Sequence, residues 1–127
     1  LNPGGVRLGT SEIYSVLEKF KNITECLAVG QSWDNDERII LFVVLKKKQV
    51  LSEKLKKDIK YNIKKFASPR HVPSKIIKVR GIPKTKNGKI VEVAIKNIIE
   101  GNKIKNLQAL LNPDVLNEYR NINELKY

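Results

Sequence analysis

A small α+β domain, with helices covering a short sheet of mainly three strands, is the fold class this sequence predicts, and three observations predict it. The run Ile39-Ile40-Leu41-Phe42-Val43-Val44-Leu45 is unbroken and apolar, too apolar for a strand with one wet face, so it belongs in the middle of a sheet. Apolar residues recur at helical spacing in two places, at Ile13, Val16, Leu17 and Phe20, and at Leu55, Ile59, Ile63 and Phe66. Breakers such as Ser68-Pro69-Arg70-His71-Val72-Pro73 separate these stretches, because each proline also disfavours helix in the residue before it. Helices each with one apolar face need a sheet to cover.

Taken in order, residues 4–9 read as a short strand or hairpin arm. Thr10 caps a helix running to residue 20, with Glu12 near its positive end. Residues 26–29 and 38–45 read as strands, joined through Trp33-Asp34-Asn35-Asp36. That linker is turn chemistry; a calcium loop would need spaced ligands and a glycine that are absent. A second helix spans residues 52–66, its apolar face interleaved with lysines, and a strand follows at 75–79. A third helix, 91–100, stops at Gly101-Asn102. The core is expected to end there, giving a domain over 1–104 and a helical C-terminal extension over 105–127. Asn112-Pro113-Asp114 starts the extension's helix, followed by Val115, Leu116 and Tyr119, and the tail is placed across the domain or toward an absent partner.

At 127 residues and 41% hydrophobic composition the chain can bury one ordinary core. It has no methionine, so its first residue is not a translation start and a piece of a larger protein is expected. Lys and Arg number 25 against 13 acidic residues, a net charge of +12. Such an excess favours polyanionic partners: nucleic acid, an anionic membrane or phosphorylated small molecules. No stretch reaches 18 apolar residues and no secretory signal opens the chain, which points to a cytoplasmic setting. Nucleic-acid binding fits poorly, because Tyr14, Phe20 and Phe66 fall on packing faces and the lysines form no single stripe. The lone Cys26 excludes an intrachain disulfide and reads as an inert core thiol. His71, the only histidine, has no carboxylate or cysteine at ligand spacing, so it reads as a loop hydrogen-bonder, and no metal site is expected.

The segment that carries chemistry is Pro83-Lys84-Thr85-Lys86-Asn87-Gly88-Lys89. Pro83 ends the preceding strand and Gly88 permits strained backbone just before Lys89. A protonated lysine binds carboxylates and phosphates rather than abstracting protons. This is no P-loop: Gly81 and Gly88 are too far apart and Ile90 follows the lysine. A solvated, lysine-rich face is the plainer alternative.

Together with Gly5-Val6-Arg7-Leu8-Gly9-Thr10-Ser11-Glu12-Ile13, that segment resembles the two signature stretches of the C-terminal domain of acyl-adenylate-forming enzymes, the acyl-CoA synthetase superfamily. The likeness covers nearly the whole chain. The tail Leu107-Gln108-Ala109-Leu110-Leu111-Asn112-Pro113-Asp114-Val115-Leu116 resembles the extension of acetyl- and acetoacetyl-CoA synthetases, while Ile90-Val91-Glu92-Val93-Ala94-Ile95-Lys96-Asn97, Leu1-Asn2-Pro3-Gly4-Gly5-Val6-Arg7 and Ser68-Pro69-Arg70-His71-Val72-Pro73 look like the acetoacetyl-CoA synthetase branch, with acetyl- or propionyl-CoA synthetases as the alternative. The resemblance implies an acid–thiol ligase working in two steps with ATP and CoA as substrates, Mg2+ accompanying ATP outside this chain, and a large N-terminal domain absent here that carries the acid pocket. The chain would be that enzyme's swivelling lid, inactive alone. Lys89 would be catalytic in the first step, with Pro83, Thr85 and Gly88 shaping its loop. Gly5 and Arg7 would meet CoA in the second, Glu12 would be structural beside them, and Lys60 is a weaker basic candidate. Read without the resemblance, Gly5 is equally a turn residue and Arg7 a partner for an acidic neighbour. No nucleic-acid or membrane partner is implied.

Overall fold

The computed structural model describes residues 1, 3–5, 7–84, 92–101 and 113–127. Helix α1 is Ser11–Leu17, strands β1 and β2 are Ile23–Trp33 and Asp36–Leu45, helix α2 is Glu53–Phe66, strand β3 is Lys75–Lys78 and helix α3 is Glu92–Ile99. Strands β1 and β2 form an antiparallel hairpin in one register from Trp33 opposite Asp36 out to Glu25 opposite Val44, with a bulge before Ile23 opposite Leu45. Its two-residue turn holds Asp34 at φ 51° and Asn35 at φ 60°. This is the left-handed pair that suits a twisted hairpin and that Asp and Asn tolerate. Strand β3 pairs with β2 in parallel, and α2 supplies the crossover that a parallel pair requires.

The order β1-β2-β3 puts β2 in the centre, as its apolar run predicts, and both of its faces are buried. On one face Ile39, Leu41 and Val43 pack with Ile13, Val16 and Leu17 of α1 and with Ile59 and Ile63 of α2. On the other, Ile40 and Phe42 pack with Ile95 and Ile98 of α3 and with Leu116, Tyr119 and Leu125 of the tail. Alternation along one strand thus creates two apolar layers that need separate covers.

Four expectations are corrected. The arm at residues 3–5 is a 3-10 turn and not a strand: Gly4 and Gly5 have φ of 63° and 76°, and the Leu8 N–H closes the arm on the Leu1 carbonyl at 2.7 Å. Helix α1 ends at Leu17, short of Phe20, because the chain must turn back into β1 at Ile23. Helix α2 starts about where expected, capped by Ser52, whose Oγ accepts from the Leu55 N–H at 3.1 Å, but Phe66, at the helix end, is 53% exposed. Its ring lies 4.1 Å below the Lys19 ammonium, so it is not a packing residue.

The tail is the fourth. Expected beyond a core that ends near Gly101, it completes that core as two 3-10 segments, Pro113–Tyr119 and Asn123–Lys126. The expected boundary at 104, and Asn112, lie outside the described residues. Tyr119 is fully buried, its ring edge-on to Phe42 at 4.8 Å and its hydroxyl donating to the Gly81 carbonyl at 2.6 Å. Arg38 stacks on Trp33 and donates to the Leu125 and Tyr127 carbonyl oxygens, fastening the chain's end to β2. Tyr119→Ala is expected to cost about 3–5 kcal/mol of stability in urea unfolding. Tyr119→Phe, which removes only the hydroxyl, is expected to cost about 1 kcal/mol. A tail that merely rests on the surface would show neither loss.

Candidate functional site

Strand β1 is an edge strand, and an uncovered edge is a row of unpaired amides and carbonyls. Here side chains from both layers close it at alternate residues. The Ala28 N–H donates to the Tyr14 hydroxyl of α1 at 3.1 Å. The Gly30 carbonyl accepts from Lys96 of α3 at 2.8 Å, and the Ser32 N–H donates to Glu100 at 2.7 Å. Helices α1 and α3, which cover opposite faces, therefore meet along this edge.

Two side-chain links span the seam. Glu37, on β2, reaches Lys96 at 3.1 Å, and Lys96 also binds Glu100 at 3.0 Å. Gly30 makes the first link possible, since a Cβ at that position would overlap the Glu37 carboxylate. Burial alone would push the Lys96 ammonium down, but Glu100 and Glu37 outweigh it and hold its pKa above the ordinary value. Burial would likewise raise Glu100, but the Ser32 amide and Lys96 pull it below the usual carboxylate range.

The second link joins the head of α1 to the start of α3. Thr10 Oγ1 donates to Glu92 Oε1 at 3.3 Å, joining residues 82 apart in sequence. Thr10 was expected to cap α1, yet its side chain makes no cap bond and its backbone is already helical. Burial lifts the Glu92 carboxyl above the carboxylate range, and the Thr10 hydroxyl offsets only part of that. A cavity of about 230 Å³ opens at the seam, lined by Leu1, Ala28, Gly30, Glu37, Glu92 and Lys96 among others.

The lysine segment begins on fixed ground: Ile82 and Pro83 are buried and Lys84 pairs with Glu25 of β1 at 3.0 Å. Thr85, Gly88 and Lys89 lie outside the described residues, which resume at Glu92. Pro83 lies beyond the end of β3 at Lys78.

The arm lies against the β1–β2 turn, where the Gly4 N–H donates to Asp36 at 2.9 Å. Gly5 is exposed with open space where a Cβ would point, and its φ of 76° itself favours glycine. Arg7 is exposed, and no carboxylate among the described residues pairs with it. Glu12 is also exposed, on the first turn of α1, where its carboxylate accepts from Ser11 Oγ at 3.2 Å. It touches neither the lysine segment nor α3 among the described contacts. Arg70 approaches Gly4, its Nη1 3.9 Å from where a Cβ would stand. Next to it, Pro69 walls an open cleft of about 400 Å³ shared with Tyr61, Lys64 and Lys65. Sequence reasoning singled out Lys60; the cleft is lined instead by lysines one turn later, beside an aromatic that is 62% exposed.

Two further residues fall as expected. His71 is buried in the loop, its Nδ1 2.6 Å from Ser68 Oγ. Cys26 is partly buried, and burial, reinforced by Glu18 and Glu25, pushes its thiol up to about 11. Among the described residues no group of three His, Cys, Asp or Glu side chains is arranged to hold a metal ion, and no helix is long and apolar enough to cross a membrane.

Residues 12–89 match the AMP-binding enzyme C-terminal domain. The chain belongs to this family. As an AMP-binding enzyme C-terminal domain it is 49% identical, over 99% of its length, to acetoacetyl-coenzyme A synthetase of Rhizobium meliloti, and 46% identical over 99% to acetoacetyl-CoA synthetase of Gallus gallus. It spans 19% of the length of each. Among solved structures, acetoacetyl-CoA synthetase from Streptomyces lividans superposes with a TM-score of 0.84 at 34% identity, covering 96% of this chain and 19% of that one. An acyl-CoA synthetase from Brucella canis gives 0.64 at 29% identity over 70% of this chain and 17% of its own.

A thiol held near 11 is almost wholly protonated at neutral pH, and the thiolate is the reactive form. Alkylation of Cys26 by iodoacetamide at pH 7.5 is therefore expected to run roughly two orders of magnitude slower than that of a free cysteine. It should accelerate with each unit of pH up to about 11. Reaction at the free-thiol rate would contradict the burial.

Proposed function

We propose that this chain is the mobile C-terminal domain of an AMP-forming acetoacetate–CoA ligase. The observation that carries the reading is the 49% identity to an acetoacetyl-CoA synthetase over 99% of the chain, tail included. In the first step acetoacetate attacks the α-phosphorus of ATP, giving acetoacetyl-adenylate and pyrophosphate. In the second the CoA thiol attacks the acyl carbon and AMP leaves. The nucleotide and acid pockets belong to the N-terminal domain, with Mg2+ accompanying ATP there.

Lys89 serves the first step. Carboxylate and triphosphate are both anions, and bringing them together develops charge that a preorganised ammonium stabilises. The domain then turns, Lys89 withdraws, and the arm faces the site. Gly5 leaves its backbone open to a narrow pantetheine chain, and Arg7, exposed and with no carboxylate partner among the described residues, suits a phosphate. The cleft of Tyr61, Lys64 and Lys65, reached from the arm past Arg70, suits the nucleotide end of CoA: an aromatic face for adenine and two ammonium groups for phosphate.

Acetoacetate-dependent exchange of labelled pyrophosphate into ATP tests the reading in the full-length protein. Wild type is expected to exchange, and Lys89→Ala to fall by about 10²- to 10³-fold. Exchange with acetate or propionate but not acetoacetate would change the substrate, and equal exchange in both proteins would remove Lys89 from adenylation. For the cleft, Lys64→Glu/Lys65→Glu is expected to raise the KM for CoA about tenfold while pyrophosphate exchange holds. An unchanged KM would take CoA elsewhere.

A further inference from the structure

The stretch Ser68-Pro69-Arg70-His71-Val72-Pro73, legible in the sequence only as a helix breaker, folds into a short 3-10 turn over Pro69–His71. Its base is fixed. His71 is buried with Nδ1 2.6 Å from Ser68 Oγ, and the backbone closes twice, His71 N–H on the Ser68 carbonyl at 3.1 Å and Val72 N–H on the Pro69 carbonyl at 3.3 Å. Pro69 and Pro73 hold their own backbone angles on either side. Between these anchors Arg70 is exposed.

The Arg70 side chain has a direction. Its Nη1 lies 3.9 Å from where a Cβ on Gly4 would stand, so the guanidinium reaches the arm beside Gly5, and Asp36 pins the arm there through the Gly4 N–H. Among the described residues no carboxylate pairs with Arg70. The residue before it, Pro69, walls the cleft of Tyr61, Lys64 and Lys65. Arg70 therefore stands between the two places given to CoA above, the arm for pantetheine and the cleft for the nucleotide end. In CoA the group that joins those two parts is a diphosphate.

We propose that Arg70 binds the diphosphate of CoA, with the Ser68–His71 turn as the rigid base that presents it. A guanidinium fits the task because its planar fork of N–H donors matches phosphate oxygens in pairs. A turn that already holds the backbone also lowers the ordering cost of binding. The inference rests on the CoA path through the arm and the cleft, and it gives Arg70 a task distinct from that of Lys64 and Lys65. They act on the nucleotide end; Arg70 acts on the linkage before it.

The test uses full-length enzyme and thioester formation from synthetic acetoacetyl-adenylate with three acceptor thiols: CoA, dephospho-CoA, which lacks only the 3′-phosphate, and pantetheine, which lacks the diphosphate and the nucleoside. In Arg70→Ala the kcat/KM for CoA and for dephospho-CoA is expected to fall alike, by about 10- to 100-fold. Pantetheine should stay within about twofold of wild type, pyrophosphate exchange should hold, and Arg70→Lys should recover part of the loss with CoA. An equal loss with pantetheine would make Arg70 a support for the arm and overturn the inference, as would undiminished use of CoA. A loss with CoA that dephospho-CoA does not share would move Arg70 to the 3′-phosphate and overturn it too. Lys64→Glu/Lys65→Glu is run alongside. If it loses CoA while Arg70→Ala keeps it, this inference alone fails; if wild type uses pantetheine as well as CoA, the nucleotide end is not read and the cleft assignment fails with it.

Discussion

Everything in this domain depends on β2 being apolar on both faces. A strand that carries Ile39, Leu41 and Val43 one way and Ile40 and Phe42 the other has no side it can leave wet. A small domain must then cover both faces of a three-stranded sheet. Helices α1 and α2 take one; α3 alone is too short for the other, so the tail is recruited with Leu116, Tyr119 and Leu125. The buried tyrosine and the Arg38 contacts to the chain's end follow from that need.

Covering both faces also separates the two segments to which the proposed function gives roles. The arm leads into α1 on one layer, and the lysine segment leads into α3 on the other. Among the described residues, α1 and α3 are tied together at the β1 edge, where the strand's outward amides and carbonyls must be satisfied in any case. Tyr14, Lys96 and Glu100 meet that obligation, and Thr10–Glu92 and Glu37–Lys96 tie the layers there. On the proposed reading, a domain that presents first one segment and then the other needs the two held in a fixed relation, and the seam ties together the helices that follow them.

The sheet was legible because its cause is local: an unbroken apolar run identifies a central strand, and Asp34-Asn35 identifies its turn. Both apolar helix faces were legible for the same reason, though not their ends. Phe20 and Phe66 continue the helical period past the point where the chain must turn or the sheet runs out beneath it. Thr10 looked like a cap because the local pattern of a threonine before a helix cannot reveal an acceptor 82 residues away. Gly30 carried no signal at all; its meaning depends on Glu37 crossing above it. Tyr119 was read as part of an appendage because nothing near it shows that Phe42 lacks cover. In the candidate site, Lys89, Gly5 and Arg7 were singled out by motif, whereas the cleft lysines Lys64 and Lys65 were lost among many equivalent ones. Only the exposure of Tyr61 and the approach of Pro69 distinguish them.

The central claim is that one small domain serves two successive reactions with different segments, Lys89 belonging to the first alone. Single-turnover formation of acetoacetyl-CoA from synthetic acetoacetyl-adenylate and CoA by the full-length Lys89→Ala enzyme tests it most directly, because that reaction starts after the lysine's work is done. The account predicts a rate close to that of wild type. A rate reduced as severely as adenylation would place Lys89 in both steps and contradict the division of labour.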